Sequence, residues 1–592
     1  MVKFEIKEDF LLDDKPFKIL SGAIHYFRVP RESWAHSLYN LKALGFNTVE
    51  TYVAWNVHEK KSGDFDFTGQ NDLSAFLTEA KKQGLYAIVR PSPYICAEWE
   101  FGGLPAWLLE TKAKPRRMDE CFLNYVKRYY QHLFQELRPH FSTQGGNILM
   151  LQIENEYGSY SEDKAYLKAI KSLMDDEGVD IPYCTSDGPW PACLEAGSLV
   201  EEGILPTGNF GSRGPENFAA LKAFQEKHGK PHWPLMCMEF WDGWFNRWGE
   251  PVVTRETDEL VEALRETVRL GSVNLYMFHG GTNFGFMNGC SARLAHDLPQ
   301  ITSYDYGAPL DEQGNPTEKY YAIQRMLKEE FPDLPQAEPK IKENLAPKRL
   351  TCEARTSLFE QLDVLGDSVA TTYPKTMEAL GQAYGYHVYQ TTVPKRADEE
   401  RLRLIDGRDR AQIYWNGEWV ATQYQEAIGE DITVPAEEEH NDLWLLMENM
   451  GRVNYGHKLL AETQHKGLRQ GVMQDLHFLL HWQQTPLDFS RLADLDYSKA
   501  YQAKQPSFSR FILEVLEPKD CFIDLSHFGK GLAIVNGHIL GRFWDIGPTL
   551  SLYCPGEFLN TGRNIITVFE TEGRLSDELP IASKPVFKEM EE

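Results

Sequence analysis

Through its first half the chain repeats one unit: an amphipathic helix, a glycine, then an apolar strand. Trp34, Leu38 and Leu41 fall at helical spacing, with Ser33 as a candidate cap; Gly45 ends that helix and Thr48-Val-Glu-Thr-Tyr52 reads as a strand. Leu73, Phe76, Leu77 and Ala80 share one face between Asp72 and Gln83; Gly84 stops the helix and Leu85-Tyr-Ala-Ile-Val89 follows. The same junction recurs at Gly145-Gly146, Gly178, Gly229 and Gly271, where a helix C-terminus favours a residue that tolerates positive φ. An early strand at Ile19–Ala23 and a weaker one near Thr207–Phe210 bring the strands to about eight. Strands alternating with helices imply a parallel sheet, closed as a (β/α)8 barrel or open as a doubly wound sheet. In the barrel, chemistry sits at the carboxyl ends of the strands. There this chain keeps Tyr52, Arg90, Asn155, Glu156, Glu239 and His279.

A chain of 592 residues is too long for one domain. Phe331–Pro339 reads as a linker, and beyond it strand-like runs replace helical periods. Two hairpins carry Asn-Gly turns, Asn416-Gly417 and Asn536-Gly537, the pair that a type I′ turn favours. Each is followed by an apolar strand, an acidic residue and Gly-Arg; by subtraction, Gly417 to Gly451 spans 34 positions and Gly537 to Gly573 spans 36. This internal repeat predicts two β-sandwiches of one type. The expected organisation is a catalytic barrel over 1–332, then 333–369 as linker and first strands of the last β-domain. A first sandwich would cover 370–482 and a second 483–592.

The formal charge of −26 argues against nucleic acid and anionic membrane surfaces as partners. The charged N-terminus has no apolar signal-like core, and no stretch is apolar for long enough to cross a bilayer. Nine scattered cysteines without C-x-x-C favour reduced thiols, and together these features predict a cytoplasmic protein. The acidic tail Glu589–Glu592 reads as a solvated end.

Two carboxylates end apolar runs in aromatic surroundings: Glu156 in Ile148-Leu-Met-Leu-Gln-Ile-Glu-Asn-Glu-Tyr-Gly158, and Glu239 in Pro234-Leu-Met-Cys-Met-Glu-Phe-Trp-Asp-Gly-Trp244. A buried glutamate at a strand end often only pairs with an arginine. A cluster of polar groups capping a strongly apolar strand is costly without a task. Two acidic groups aimed into one Trp- and Tyr-lined cleft suit glycosidic bond cleavage, one protonating the leaving oxygen and the other attacking the sugar. Period-2 alternation places Gln152, Glu154 and Glu156 on one face and Asn155 opposite, with Glu154 read as structural support. Alternative chemistries fare worse: His58-Glu59 lacks the second histidine of a zinc motif, Gly280-Gly281 and Gly285 lack dinucleotide spacing, and there is no Gly-x-Ser-x-Gly elbow. Cys96, Cys184 and Cys237 read as core packing, and no metal is expected.

The motifs together resemble the glycoside hydrolase family 35 β-galactosidases of the shorter, bacterial type. They include Gly22-Ala-Ile-His-Tyr-Phe-Arg28, Glu50-Thr-Tyr-Val-Ala-Trp-Asn56, the run from Arg90 to Pro105, Gln152-Ile-Glu-Asn-Glu-Tyr-Gly158, Met238-Glu-Phe-Trp-Asp-Gly-Trp-Phe245, Phe278-His-Gly-Gly-Thr-Asn-Phe-Gly285 and Thr302-Ser-Tyr-Asp-Tyr306. In the second half the match is looser, mainly Gly451-Arg-Val-Asn-Tyr-Gly456. The resemblance implies Glu156 as acid/base and Glu239 as nucleophile, with Asn155 holding the sugar 2-hydroxyl. Tyr52, the backbone of Cys96 and Ala97, Glu98 and Tyr306 would grip galactose, Tyr276 would orient Glu239, and Trp241, Trp244 and Tyr455 would shape the aglycone side. It implies a TIM barrel with two galactose-binding-like jelly-roll sandwiches and a retaining exo-β-galactosidase that needs no cofactor. Its partner would be a β-galactoside oligosaccharide, with Gal-β-1,3-GlcNAc preferred, and relatives suggest a homodimer. A retaining enzyme for another sugar and an inactive carbohydrate-binding protein are the rival readings. Gly307 departs from the family pattern, where many relatives carry an acidic residue.

Overall fold

A computed structural model describes residues 2–91 and 93–590. Met1, Ser92 and the end of the acidic tail, Glu591 and Glu592, lie outside the described residues. Eight strands close into one barrel: β1 Leu20–Ile24, β2 Thr48–Tyr52, β3 Tyr86–Arg90, β4 Ile148–Gln152, β5 Tyr183–Asp187, β6 Leu205–Asn209, β7 Met236–Trp241 and β8 Ser272–His279. Neighbours pair parallel in chain order, and β8 returns to β1 through Val273↔Leu20 and Leu275↔Gly22. Closure excludes the open doubly wound sheet. The strands are almost wholly buried because helices cover their outer faces and side chains fill the lumen.

Helix α1, Trp34–Leu44, buries Trp34, Leu38, Leu41 and Leu44 and ends at Gly45 with φ 107°. Ser33 does not cap it: a 3₁₀ turn precedes the helix, Ser33 is already helical in φ/ψ, and its hydroxyl instead donates to Glu557 of the last domain. In α2, Leu73–Lys82, Asp72 is a true N-cap, accepting from the Ala75 amide at 2.8 Å. Gly271 departs from the junction pattern. It is extended rather than left-handed, and the reason for glycine there is space: a Cβ would lie 2.7 Å from the Leu235 carbonyl oxygen and 2.8 Å from the Phe218 ring.

Two all-β sandwiches follow. The first has a six-stranded antiparallel sheet, in the order Val369–Thr371, Trp482–Pro486, Tyr386–Pro394, His440–Glu448, Arg410–Trp415, Glu418–Tyr424. A four-stranded sheet contains Glu399–Arg408 and Gly467–Gln474, and Tyr389, Leu404, Ile413, Leu445 and Val472 fill the space between the sheets. Because Trp482–Pro486 pairs with Val369–Thr371, this sheet reaches past the boundary expected at 482. In the last domain the strand Lys348–Ser357 belongs to two sheets. Its first part pairs with Glu578–Ala582 and its last part with Ser507–Val515, the register shifting at a bulge between Cys352 and Ala354. A bulge bends its strand and so lets one strand turn the corner of a sandwich. Both Asn-Gly hairpins form as the sequence predicts: Asn416 and Gly417 take φ 50° and 84°, Asn536 and Gly537 49° and 86°. All nine cysteines are unpaired. Among the described residues no helix is long and apolar enough to cross a membrane.

Candidate active site

The carboxyl mouth of the barrel opens into a cavity of about 480 Å³. Glu156 and Glu239 both line it, with Cys96, Ala97, Glu98, Asn155, Tyr276 and Tyr306. Trp241 and Trp244 form one side, their rings 5.7 Å apart and nearly perpendicular. The first sandwich completes the wall with Asn454, Tyr455, Gly456 and His457. Its loop is pinned to the barrel: the Tyr94 hydroxyl donates to the Asn454 carbonyl at 2.6 Å, the Cys290 amide to Asn454 Oδ1 at 3.0 Å, and the Tyr455 hydroxyl to Ser159 Oγ at 3.1 Å.

The backbone aims the two glutamates differently. β4 stops at Gln152, and Glu154 and Glu156 then adopt left-handed φ of 56° and 44°. Such strain in non-glycine residues persists only where the surroundings impose it. It breaks the expected alternation, so Glu154 and Glu156 do not share a face and Asn155 does not point away. Asn155 and Glu156 both reach the cavity, while Glu154 turns to Arg116, which grips it with Nε and Nη2 at 2.9 Å each. The Tyr166 hydroxyl adds a bond at 3.1 Å. Glu154 is thereby a structural anchor for the turn. Glu239 lies in β7 where its pairing with both β6 and β8 is bulged, a device that re-aims side chains beside active sites. The β6–β7 register sets Glu239 against Asn209, and Asn209 Nδ2 donates to Glu156 Oε1 at 3.0 Å. One asparagine therefore neighbours the first carboxyl along the sheet and binds the second.

The two carboxyls have unlike surroundings. Glu239 receives three donors: Arg90 Nη2 at 2.6 Å and the Tyr52 hydroxyl at 2.8 Å on Oε1, and Trp241 Nε1 at 3.1 Å on Oε2. A carboxylate is an acceptor-only group, and this is the setting that suits it. Glu156 faces a neutral amide, and burial pushes its carboxyl up to about 7, with the Glu239 charge adding to the rise. Behind Glu239, the fully buried Arg90 also donates to Asn155 Oδ1 and Gln152 Oε1, each at 2.8 Å, and has Glu50 3.9 Å away. Burial raises the Glu50 carboxyl to about 7 despite that cation.

The structure places the remaining expected residues as follows. Tyr52 does not line the cavity; it stands behind, its hydroxyl 2.8 Å from both Asn155 Oδ1 and Glu239 Oε1, because the short strand end buries its ring over the Arg90 guanidinium. Tyr276 lines the cavity but does not hold Glu239, whose oxygens are taken by Arg90, Tyr52 and Trp241; its hydroxyl lies 3.4 Å from that of Tyr304. His279 bonds Ser37 Oγ at 2.9 Å, away from the cavity. Cys96, Ala97 and Glu98 occupy three successive left-handed conformations, which turns their backbone along the cavity wall, and Tyr304 holds Glu98. Gly307 takes φ 64° directly after Tyr306 at 65°, a turn in which glycine costs less than an acidic residue. Sequence reasoning missed Asn209, at the end of the weakest strand, and Asn454, whose proximity to Cys96 spans the two domains. It noted Arg90 as a strand-end residue but gave it no role.

The family model described as Glycosyl hydrolases family 35 matches residues 9–330. Models described as Beta-galactosidase, first all-beta domain, and Beta-galactosidase, galactose-binding domain, match residues 374–488 and 506–564. The chain is 38% identical over 565 residues to a beta-galactosidase of Xanthomonas manihotis, spanning 92% of this chain and 90% of that one. It is 37% identical over 592 residues to human beta-galactosidase-1-like protein 2, spanning 95% and 88%. Against a Bos taurus beta-galactosidase it is 35% identical over 620 residues, spanning 98% and 93%.

Proposed function

Since this chain belongs to glycosyl hydrolases family 35, we propose that it is a retaining exo-β-galactosidase that releases terminal, non-reducing β-galactose from oligosaccharides. The observation that carries the reading is the asymmetry of the carboxyl pair in one cavity: three donors converge on Glu239, while Glu156 is pushed up to about 7.

Glu239 attacks the anomeric carbon as Glu156 gives its proton to the departing glycosidic oxygen. The C–O bond to the aglycone breaks, and a galactosyl–Glu239 ester forms. The nucleophile is then uncharged, so Glu156 loses the negative charge that added to the rise caused by burial, its pKa falls, and it accepts a proton from water. That water attacks the anomeric carbon and returns Glu239 as carboxylate, with two inversions giving net retention. Asn155, fixed by Arg90 and the Ile95 carbonyl, presents its amide to the sugar 2-hydroxyl. Trp241, Trp244 and Tyr455 receive the leaving sugar, for which we favour β-1,3-linked N-acetylglucosamine.

Glu239→Gln is expected to abolish turnover, and Glu239→Gly to regain it with a small anionic nucleophile, giving an inverted product. Turnover by either variant without that nucleophile rejects the assignment. Glu156→Ala should spare nitrophenyl galactosides, whose leaving group needs no proton, far more than disaccharides; equal loss on both rejects Glu156 as the acid. Rates on β-1,3-, β-1,4- and β-1,6-linked galactosyl-N-acetylglucosamine test the linkage preference.

A further inference from the structure

A second cavity, of about 460 Å³, adjoins the catalytic one across a shared wall of Trp190, Trp241 and Trp244. It is built from the loops that follow β5, β6 and β7, on the carboxyl mouth of the barrel. We propose that this outer cavity binds the third sugar of the substrate, the unit next beyond the leaving sugar. The proposal rests on the galactosidase reading.

The wall is fixed rather than loose. Trp190 is 52% exposed, yet its ring lies flat on Gly188, where a Cβ would come within 2.2 Å of it. Trp241 is held from both sides: its indole N–H donates to Glu239, and its carbonyl accepts from Arg255. An exposed indole at Trp190 beside the half-buried indoles of Trp241 and Trp244 suits the flat apolar faces of sugar rings, since little freedom is lost when such rings bind. For a chain whose first unit sits by Glu239 and whose second lies against Trp241 and Trp244, the outer cavity is the space directly across that wall.

The far side of the outer cavity offers donors and no chemistry. Arg255 is committed to Glu259, with bonds of 2.7 and 2.9 Å, so that carboxylate is neutralised. Among the described residues nothing pairs with the exposed Arg213 guanidinium, and Arg213 is held at φ 51° at the head of the helix Gly214–Lys227. Asn217 spends its amide N–H on the Ser212 carbonyl at 2.8 Å, which fixes its side chain in the lining beside Thr254. A planar, unpaired fork of donors fits adjacent ring hydroxyls.

The test compares the disaccharide Gal-β-1,3-GlcNAc with the tetrasaccharide Gal-β-1,3-GlcNAc-β-1,3-Gal-β-1,4-Glc, with nitrophenyl β-galactoside as control. Wild type is expected to show a KM about tenfold lower for the tetrasaccharide at similar kcat, because the extra contacts act equally in ground and transition states. Arg213→Ala should erase most of that advantage and leave the disaccharide and the nitrophenyl substrate unchanged. Equal KM for both oligosaccharides in wild type, or an advantage that survives Arg213→Ala, overturns the subsite. A fall on all three substrates also overturns it, since it marks a structural role for Arg213. Failure to cleave any β-galactoside overturns the galactosidase reading itself, a result the nitrophenyl control separates from the others.

Discussion

Two fully buried arginines in this molecule each stand between two glutamates, and they do opposite things. Arg452, in the first sandwich, donates to Glu100 of the barrel at 2.6 Å, to Glu378, and to the carbonyls of Gln464 and Ala383 at 3.0 and 2.9 Å. Every edge of its guanidinium is used, and the cluster is closed to solvent. Arg90, in the barrel, donates to Glu239, Asn155 and Gln152, yet among the described residues its Nη1 and the facing Glu50 Oε1 have no hydrogen-bond partner, and one of its carboxylates opens onto the cavity. A cluster that only joins domains can satisfy every atom. One that must present a carboxylate to substrate leaves a face open and tolerates unmet atoms behind it. The same contrast divides the internal repeat. Arg452 bridges two domains from within, whereas Arg574, its counterpart in the last domain, makes an exposed pair with Asp545.

The comparison breaks most visibly at Arg452. Arg452→Met leaves two carboxyls buried without their cation, a cost of about 3–5 kcal/mol in stability. The loss should appear in thermal unfolding, with kcat per folded molecule kept. Arg90→Met should reverse the pattern: a fall in kcat of about 10²–10³-fold, as for loss of a preorganised charged donor. Its stability cost should be smaller near neutral pH, because Glu50, pushed up to about 7, can take a proton once its cation is gone. A lower kcat from Arg452→Met, or unchanged kcat from Arg90→Met, would erase the distinction. Tyr52→Phe removes one donor to Glu239 and should cost about tenfold in kcat, the worth of a hydrogen bond to a charged group. KM should stay put, since the ring stands behind the cavity; a rise in KM with kcat intact would return Tyr52 to the sugar-gripping role the sequence suggested.

What could be read beforehand was what is local. The barrel units show because helix and strand periods are short-range patterns, and the Asn-Gly turns because two adjacent positive φ angles select those residues. Glu156 and Glu239 stood out because each interrupts an apolar run. Period-2 alternation does not hold where the strand has already ended: the left-handed turns at Glu154 and Glu156 carry no simple sequence mark, so alternation alone puts Glu154 on the wrong face. Arg452 and Glu100 lie 352 positions apart, and nothing in either segment names the other. The role of Tyr52 was obscured for a related reason. Strand-end placement fixes the layer a side chain occupies but not whether another side chain stands in front of it.

The finest distinction between the clusters is a neutral one. Asn209 donates to Glu156 at 3.0 Å, and a bond donated to a carboxyl favours its ionised form, so Asn209 lowers a pKa that burial and Glu239 have raised to about 7. With Glu156 as the proposed acid, kcat/KM for a disaccharide should fall as pH rises through about 7. In Asn209→Ala the restraint is gone, the pKa rises, and the alkaline limb should move to higher pH, leaving the rate on its acid side nearly unchanged. Nitrophenyl galactoside, which needs no protonation to leave, should show a weaker limb and a smaller displacement. A limb that moves to lower pH, or moves equally for both substrates, would mean that Asn209 acts through its register neighbour Glu239 rather than through the acid.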